Sequence, residues 1–116
     1  MTPFGEKLRR MRAERRLSLK QMAAALGVSS AYLSALEHGR RGTPTFQLVQ
    51  RIIQYFNVIW DETEELQRLA ALSAPRIVVD TAGLSPKATE LANRLAETIG
   101  ELDEATLDEI IGKLPR

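Results

Sequence analysis

An all-α chain in two parts is what the sequence predicts, and three observations predict it. Apolar residues recur at helical spacing almost throughout, no stretch alternates apolar and polar residues as a half-buried strand does, and Ser, Thr, Gly and Pro fall where helices begin and end. Five helices fit into residues 4–74, a short extended segment follows, and two carboxy-terminal helices complete residues 75–116. With 116 residues there is room for one compact domain and an appendage, which excludes barrel and multi-domain enzymes.

The first helix is expected from about Thr2 to Arg15, with Phe4, Leu8 and Met11 on one face. The second begins at Ser18, where S-L-K-Q is a capping box between Ser18 and Gln21, and ends near Leu26 because Gly27 suits the left-handed residue that closes a helix. A third starts after Ser29, turns Leu33 and Leu36 inward and stops at Gly39. After the loop H-G-R-R-G-T-P-T, a fourth helix from Thr45 to about Phe56 carries Phe46, Val49, Ile52, Ile53 and Phe56 at helical spacing, and a fifth runs from about Trp60 to Ser73. Tyr55, Phe56 and Trp60 read as core aromatics, and Asp61 as the cap of an acidic first turn. Past Pro75, R-I-V-V-D is short and β-branched and forms the sole strand candidate. Ser85-Pro86 then opens a sixth helix with Ala88, Leu91, Ala92, Leu95 and Ile99 on its inner face, ended by Gly100. Asp103 caps a seventh, striped by Leu107, Ile110, Ile111 and Leu114.

Apolar residues make up 44% and charged residues 27%, a balance that folds and stays soluble. The absence of cysteine removes disulfides, thiolate zinc sites and cysteine catalysis, and a single histidine leaves no two-histidine metal cluster, so no metal and no cofactor are expected. No nucleophile elbow or phosphate loop is present, which argues against an enzyme. No apolar run reaches the length of a membrane span and no signal-like apolar region follows the amino-terminal arginines, so the expected location is the cytoplasm. The net charge of +1 hides a division near Asn57. Residues 1–56 carry ten basic side chains against Glu6, Glu14 and Glu37, a net of +7, and residues 57–116 carry six basic and twelve acidic ones, a net of −6. A phosphate backbone would attract the first half and repel the second, although two solvated faces of opposite sign would give the same arithmetic.

The stretch L-K-Q-M-A-A-A-L-G-V-S-S-A-Y-L-S-A-L-E-H-G, residues 19–39, carries the most information. Two short helices joined by a tight turn cross steeply, which needs a small residue at the contact, a glycine at the turn and apolar residues locking the second helix. Ala23, Gly27, Val28, Leu33 and Leu36 sit where those needs fall. These residues resemble the helix-turn-helix of the Cro and lambda-repressor family, also called the XRE family. The resemblance runs from about Phe4 to Leu72 through M-A-x-x-L-G-V-S, Y-L-S-x-L-E-x-G, R-R-G-T-P and F-x-L-V-x-R-I-I, and lapses beyond Pro75. It implies a five-helix repressor-like domain, with the helix-turn-helix motif at about 19–38, that binds double-stranded DNA.

In such a domain the recognition helix begins at Ser29 or Ser30. Ser30, Ala31, Ser34 and Ala35 then face base edges, with Ser29 and Tyr32 beside them. Hydroxyls read either kind of pair and alanine meets only a thymine methyl, so this surface has no bidentate reader. The family often has a phosphate-binding glutamine at the position of Leu19, which cannot serve. Lys20 or Gln21 is left as the substitute. His38, Arg40 and Arg41 occupy the loop that grips the DNA backbone in the family. For His38 a phosphate contact and a solvated loop residue stand as equal readings. Arg9 and Arg12 of the first helix are candidates for flanking contacts.

The expected function is a sequence-specific transcriptional regulator, a repressor occupying an operator as a homodimer. One short recognition helix reads too few base pairs to act alone in a genome. The dimer contacts are expected beyond Pro75, from the stripes Leu91, Leu95, Ile99 and Ile110, Ile111, with Ile77 and Val79 pairing across the axis. An antitoxin-like regulator, or a protein-interaction module on the same frame, is the alternative.

Overall fold

The computed structural model describes Met1–Arg116 as two compact units, Met1–Ile77 and Val78–Arg116. The first unit contains α1 (Pro3–Glu14), α2 (Leu19–Leu26), α3 (Ser30–Glu37), α4 (Phe46–Phe56) and α5 (Trp60–Ala71). The second contains α6 (Pro86–Thr98), a single 3₁₀ turn (Ile99–Glu101) and α7 (Glu104–Lys113). All secondary structure is helical.

Local chemistry sets where most helices begin. The Thr2 hydroxyl accepts from the Gly5 amide ahead of Pro3 in the first turn, Ser29 accepts from Tyr32, and Thr45 accepts from Leu48. At Ser18 the capping box closes in both directions: its hydroxyl accepts from the Gln21 amide at 3.0 Å, and its own amide donates to Gln21 Oε1 at 2.8 Å. α5 differs, since its preceding residue Ile59 has no capping side chain and Asp61 lies inside the first turn instead of capping it. The carboxylates Asp61 and Glu62 still favour that end through the helix dipole.

Four helix ends repeat one device. After α2, the Gly27 amide donates to Ala24 and the Val28 amide to Ala23, the paired bonds of a Schellman closure around a left-handed residue. The same pair of bonds closes α1 at Arg16, α3 at Gly39 and α4 at Asn57, each with positive φ. Sequence signals the two glycines and the asparagine, while Arg16 holds φ +55 without that help.

The core of the first unit joins Phe4, Leu8 and Met11 of α1 to Met22, Leu26, Leu33, Leu36, Leu48, Ile52 and Leu66. Two polar ties fasten its ends. Ser73, buried after α5, accepts from the Phe4 amide at 2.9 Å and donates to the Leu69 carbonyl at 2.6 Å. The Thr2 amide donates to the Glu37 carbonyl at 3.0 Å, which fixes the start of α1 against the end of α3. Gly5 permits that approach, because a Cβ there would overlap the Glu37 backbone.

Several sequence expectations are corrected. Phe46, expected inside, is 73% exposed because it is the first residue of α4 and extends past the end of the core, and Ile53 is only half-buried. Of the three aromatics expected in the core, Phe56 is buried, but Tyr55 and Trp60 are exposed. They lie at the end of α4 and the start of α5, where no neighbouring helix covers them. The strand candidate forms no strand: residues 77–80 are neither helix nor ladder, since a strand needs an edge to pair with and this chain offers none. α6 ends at Thr98, and Gly100 lies within the 3₁₀ turn.

In the second unit Ser85 caps α6 and Asp103 caps α7, as their sequence positions suggest. No residue of either helix is buried. Leu91, Ile99, Ile111 and Leu114 are exposed, and Ala88, Ala92, Leu95, Leu107 and Ile110 are half-buried.

Candidate nucleic-acid interface

α2, the Gly27 turn and α3 build the candidate surface. Gly27 takes φ +73 and ψ +29, and nothing lies within 4 Å of where its Cβ would stand. Backbone conformation, not space, is therefore what calls for glycine here. Leu33, Leu36 and Glu37 anchor the inner side of α3. Its outer side presents Ser29, Ser30 and Ala31 exposed, with Tyr32, Ser34 and Ala35 half-buried. Apart from Tyr32, the side chains at these positions are small, which leaves the backbone of α3 close to whatever approaches it.

The brace behind α3 is ionic. Arg12 of α1 and Glu37 of α3, both buried, form a salt bridge. Arg12 is thereby withdrawn from the flanking contact expected of it, whereas Arg9 remains exposed. Nothing local signalled this pairing, because the partners are separated by 25 residues.

Around α3 lie the other candidates. Leu19 is half-buried against the core, which explains an apolar residue there. Lys20 is exposed in the first turn of α2, while Gln21 has its carbonyl oxygen committed to the Ser18 cap and retains only its amide nitrogen for other contacts. His38 is exposed and its Nδ1 lies 2.8 Å from the Ser34 carbonyl. A carbonyl only accepts, so as a hydrogen bond this contact needs the proton on Nδ1. Arg40 and Arg41 are exposed in the loop before α4 and have no acidic partner.

A shallow depression brings Ser29 and Tyr32 of the α3 start together with Thr45, Gln47 and Arg51 of α4. Sequence reading did not single out Gln47 or Arg51. The Arg51 guanidinium donates to the Leu26 carbonyl at 3.3 Å, so it also fastens α4 to the carbonyl end of α2. The signal available in sequence was the Thr45 cap, which starts α4 beside the loop.

The second-unit candidates lie on α6, the 3₁₀ turn and α7: Leu91, Ile99 and Ile111 are exposed, and Leu95 and Ile110 are half-buried. Ile77 and Val79, in the connecting segment, are exposed and unpaired.

A chain of the solved SinR protein/SinI protein complex resembles the present one with a TM-score of 0.44 at 22% identity, covering 85% of this chain and 99% of that one. In Bacillus subtilis (strain 168), the uncharacterized HTH-type transcriptional regulator RghRB is 38% identical over 61 residues, and the HTH-type transcriptional repressor RghR is 36% identical over 61 residues. Each match takes in 53% of this chain but 44% and 45% of the respective relative, so the chain spans less than half the length of either. The family profile described as a helix-turn-helix domain matches residues 3–66, which include all of α1 to α4 and the capped motif around Gly27. The chain belongs to the helix-turn-helix domain family.

Proposed function

We propose that the chain is a sequence-specific DNA-binding transcriptional regulator, a repressor that occupies an operator as a homodimer. The observation that carries this reading is α3 itself: a short helix locked from behind by Leu33, Leu36 and the Arg12–Glu37 pair, with serines, alanines and Tyr32 outward and the unpaired Arg40 and Arg41 beside it. In this reading Ser29, Ser30, Ala31, Tyr32, Ser34 and Ala35 meet base edges in the major groove. Lys20, Gln21, His38, Arg40 and Arg41 meet phosphates, and Thr45 and Gln47 join them from the start of α4. The RghR name, that of a transcriptional repressor, supports the regulatory role.

Residues 4–74 then act as the DNA-binding domain and residues 75–116 as the dimerisation segment. Leu91, Leu95, Ile99, Ile110 and Ile111 would be covered by a second copy, with Ile77 and Val79 close to the axis. Support comes from the lack of any buried residue in α6 and α7, since a unit of this size seldom holds together on its own core. Selection of bound sequences from random duplex DNA tests the reading. A two-fold symmetric consensus whose affinity falls steeply with salt is expected, and affinity that ignores salt would reject it in favour of a protein-interaction module.

A further inference from the structure

We propose that Arg51 binds a DNA phosphate, so that α4 supplies a second grip on the strand besides the loop that carries Arg40 and Arg41. The inference rests on the DNA-binding reading above and adds to it a residue outside both the helix-turn-helix motif and the loop. Arg51 stands in the second turn of α4, on the wall of the depression that also holds Ser29 and Tyr32 of α3 and Thr45 and Gln47 at the start of α4.

The guanidinium donates one N–H to the Leu26 carbonyl at 3.3 Å. A carbonyl orients the group without neutralising it, so the positive charge and the remaining N–H donors stay available. Held this way, the planar fork loses less freedom on meeting an acceptor than a loose side chain would. The hydroxyls beside it are donors as well. Ser29 Oγ accepts from the Tyr32 amide and Thr45 Oγ1 from the Leu48 amide, and each keeps its own hydrogen for an outside acceptor. Tyr32 adds a phenol, and Gln47 an amide nitrogen.

Charge around the depression has one sign. Between Glu14 and Asp61 the chain has a single carboxylate, Glu37, which is buried and paired with Arg12. The acidic helix α5 packs against α4, but none of its residues lines the depression. Arg51 itself forms no ion pair. A ligand that suits this set brings negative charge and several acceptor oxygens on one small group, as a phosphodiester does. Duplex DNA is the source that fits the position, because Ser29 and Tyr32 also border the side of α3 assigned to the bases.

The test reads the charge of Arg51. Affinity for a random-sequence duplex is followed against salt in the full chain, in Arg51→Gln and in Arg51→Lys, with a melting temperature for each. Expected for Arg51→Gln are about three- to tenfold weaker binding and a salt slope reduced by about one, and for Arg51→Lys an unchanged slope. A role confined to tying α4 to α2 would lower the melting temperature and leave both slopes as in the wild type, which overturns the proposal. Phenylglyoxal labelling of the wild-type chain, read by mass spectrometry, needs no variant to fold. Duplex DNA should protect Arg51 while the exposed Arg68 of α5 reacts equally with and without it. Labelling of Arg51 that DNA leaves unchanged also overturns the proposal. So does saturable binding of inorganic phosphate that Arg51→Gln abolishes without altering duplex binding, because a free anion would then be the occupant. Wild-type affinity that ignores salt would reject the DNA-binding reading as a whole, whereas a steep wild-type slope combined with any of the contrary results removes Arg51 alone.

Discussion

Arg12 and Glu37 carry opposite charges into a space where neither would be tolerated alone. Glu37 is 2% exposed and Arg12 8%, so removal of either leaves a desolvated charge at the junction of α1 and α3. Glu37→Ala or Arg12→Ala should therefore cost about 3–5 kcal/mol, read as a lowered urea midpoint, whereas replacing both by apolar residues of similar volume should restore most of the loss. Two left-handed positions make a contrasting pair. Gly27→Val places a β-branched residue at φ +73 in open space, and the backbone penalty of about 1–2 kcal/mol should appear in the melting temperature together with weaker DNA binding. Arg16→Gly at φ +55 should be neutral or stabilising by up to about 1 kcal/mol, since it relieves the same penalty. A destabilised Arg16→Gly protein would mean that the arginine side chain contributes more than its backbone costs.

At the scale of single helices, capping decides the boundaries, and α7 shows it through pH. The Thr106 side chain, and then the Thr106 amide at 2.8 Å, hold the Asp103 carboxyl below its ordinary value by hydrogen bonding to the charged form. A depressed acid contributes stability above its unfolded value and loses it as pH falls through the lower, folded one. The α7 cap should thus persist through the ordinary carboxylate range and release only in more acidic solution. The carboxyl carbon shift of Asp103, followed by NMR, should titrate below that of an unstructured aspartate. A Thr106→Val variant keeps the amide but removes the hydroxyl, and should move the midpoint part of the way back.

Across the whole molecule, charge divides with the two units. Met1–Ile77 carries twelve basic and seven acidic side chains, and Val78–Arg116 carries four and eight. If the basic unit neutralises phosphates, Arg40→Ala or Arg41→Ala should weaken binding to all duplex sequences alike and reduce the salt slope by about one. Unchanged non-specific affinity in both variants would take the loop out of the interface. No core residue lies beyond Ser73, so deleting residues 76–116 should leave a folded domain. If the second unit makes the proposed dimer, this domain should sediment as a monomer and bind duplex DNA more weakly than the full chain. A truncated form that still sediments as a dimer would move the dimer interface into the first unit.

Whatever depends on neighbours three to five residues away can be read along the chain. The Ser18–Gln21 box, the Gly27 and Gly39 closures, the caps at Ser29, Ser85 and Asp103, and the inward stripe of Leu33 and Leu36 are all readable there, and with them the outward face of α3. Which distant groups meet is set by the fold alone. It pairs Arg12 with Glu37 across 25 residues, ties Ser73 to Phe4 across 69, and turns Arg51 onto Leu26. It also decided that Phe46 and Trp60 face solvent, because periodicity states which face of a helix is apolar but not how far along that face a neighbouring helix extends. Helix faces follow from bonding along the chain, whereas burial at helix ends depends on elements folded in from elsewhere.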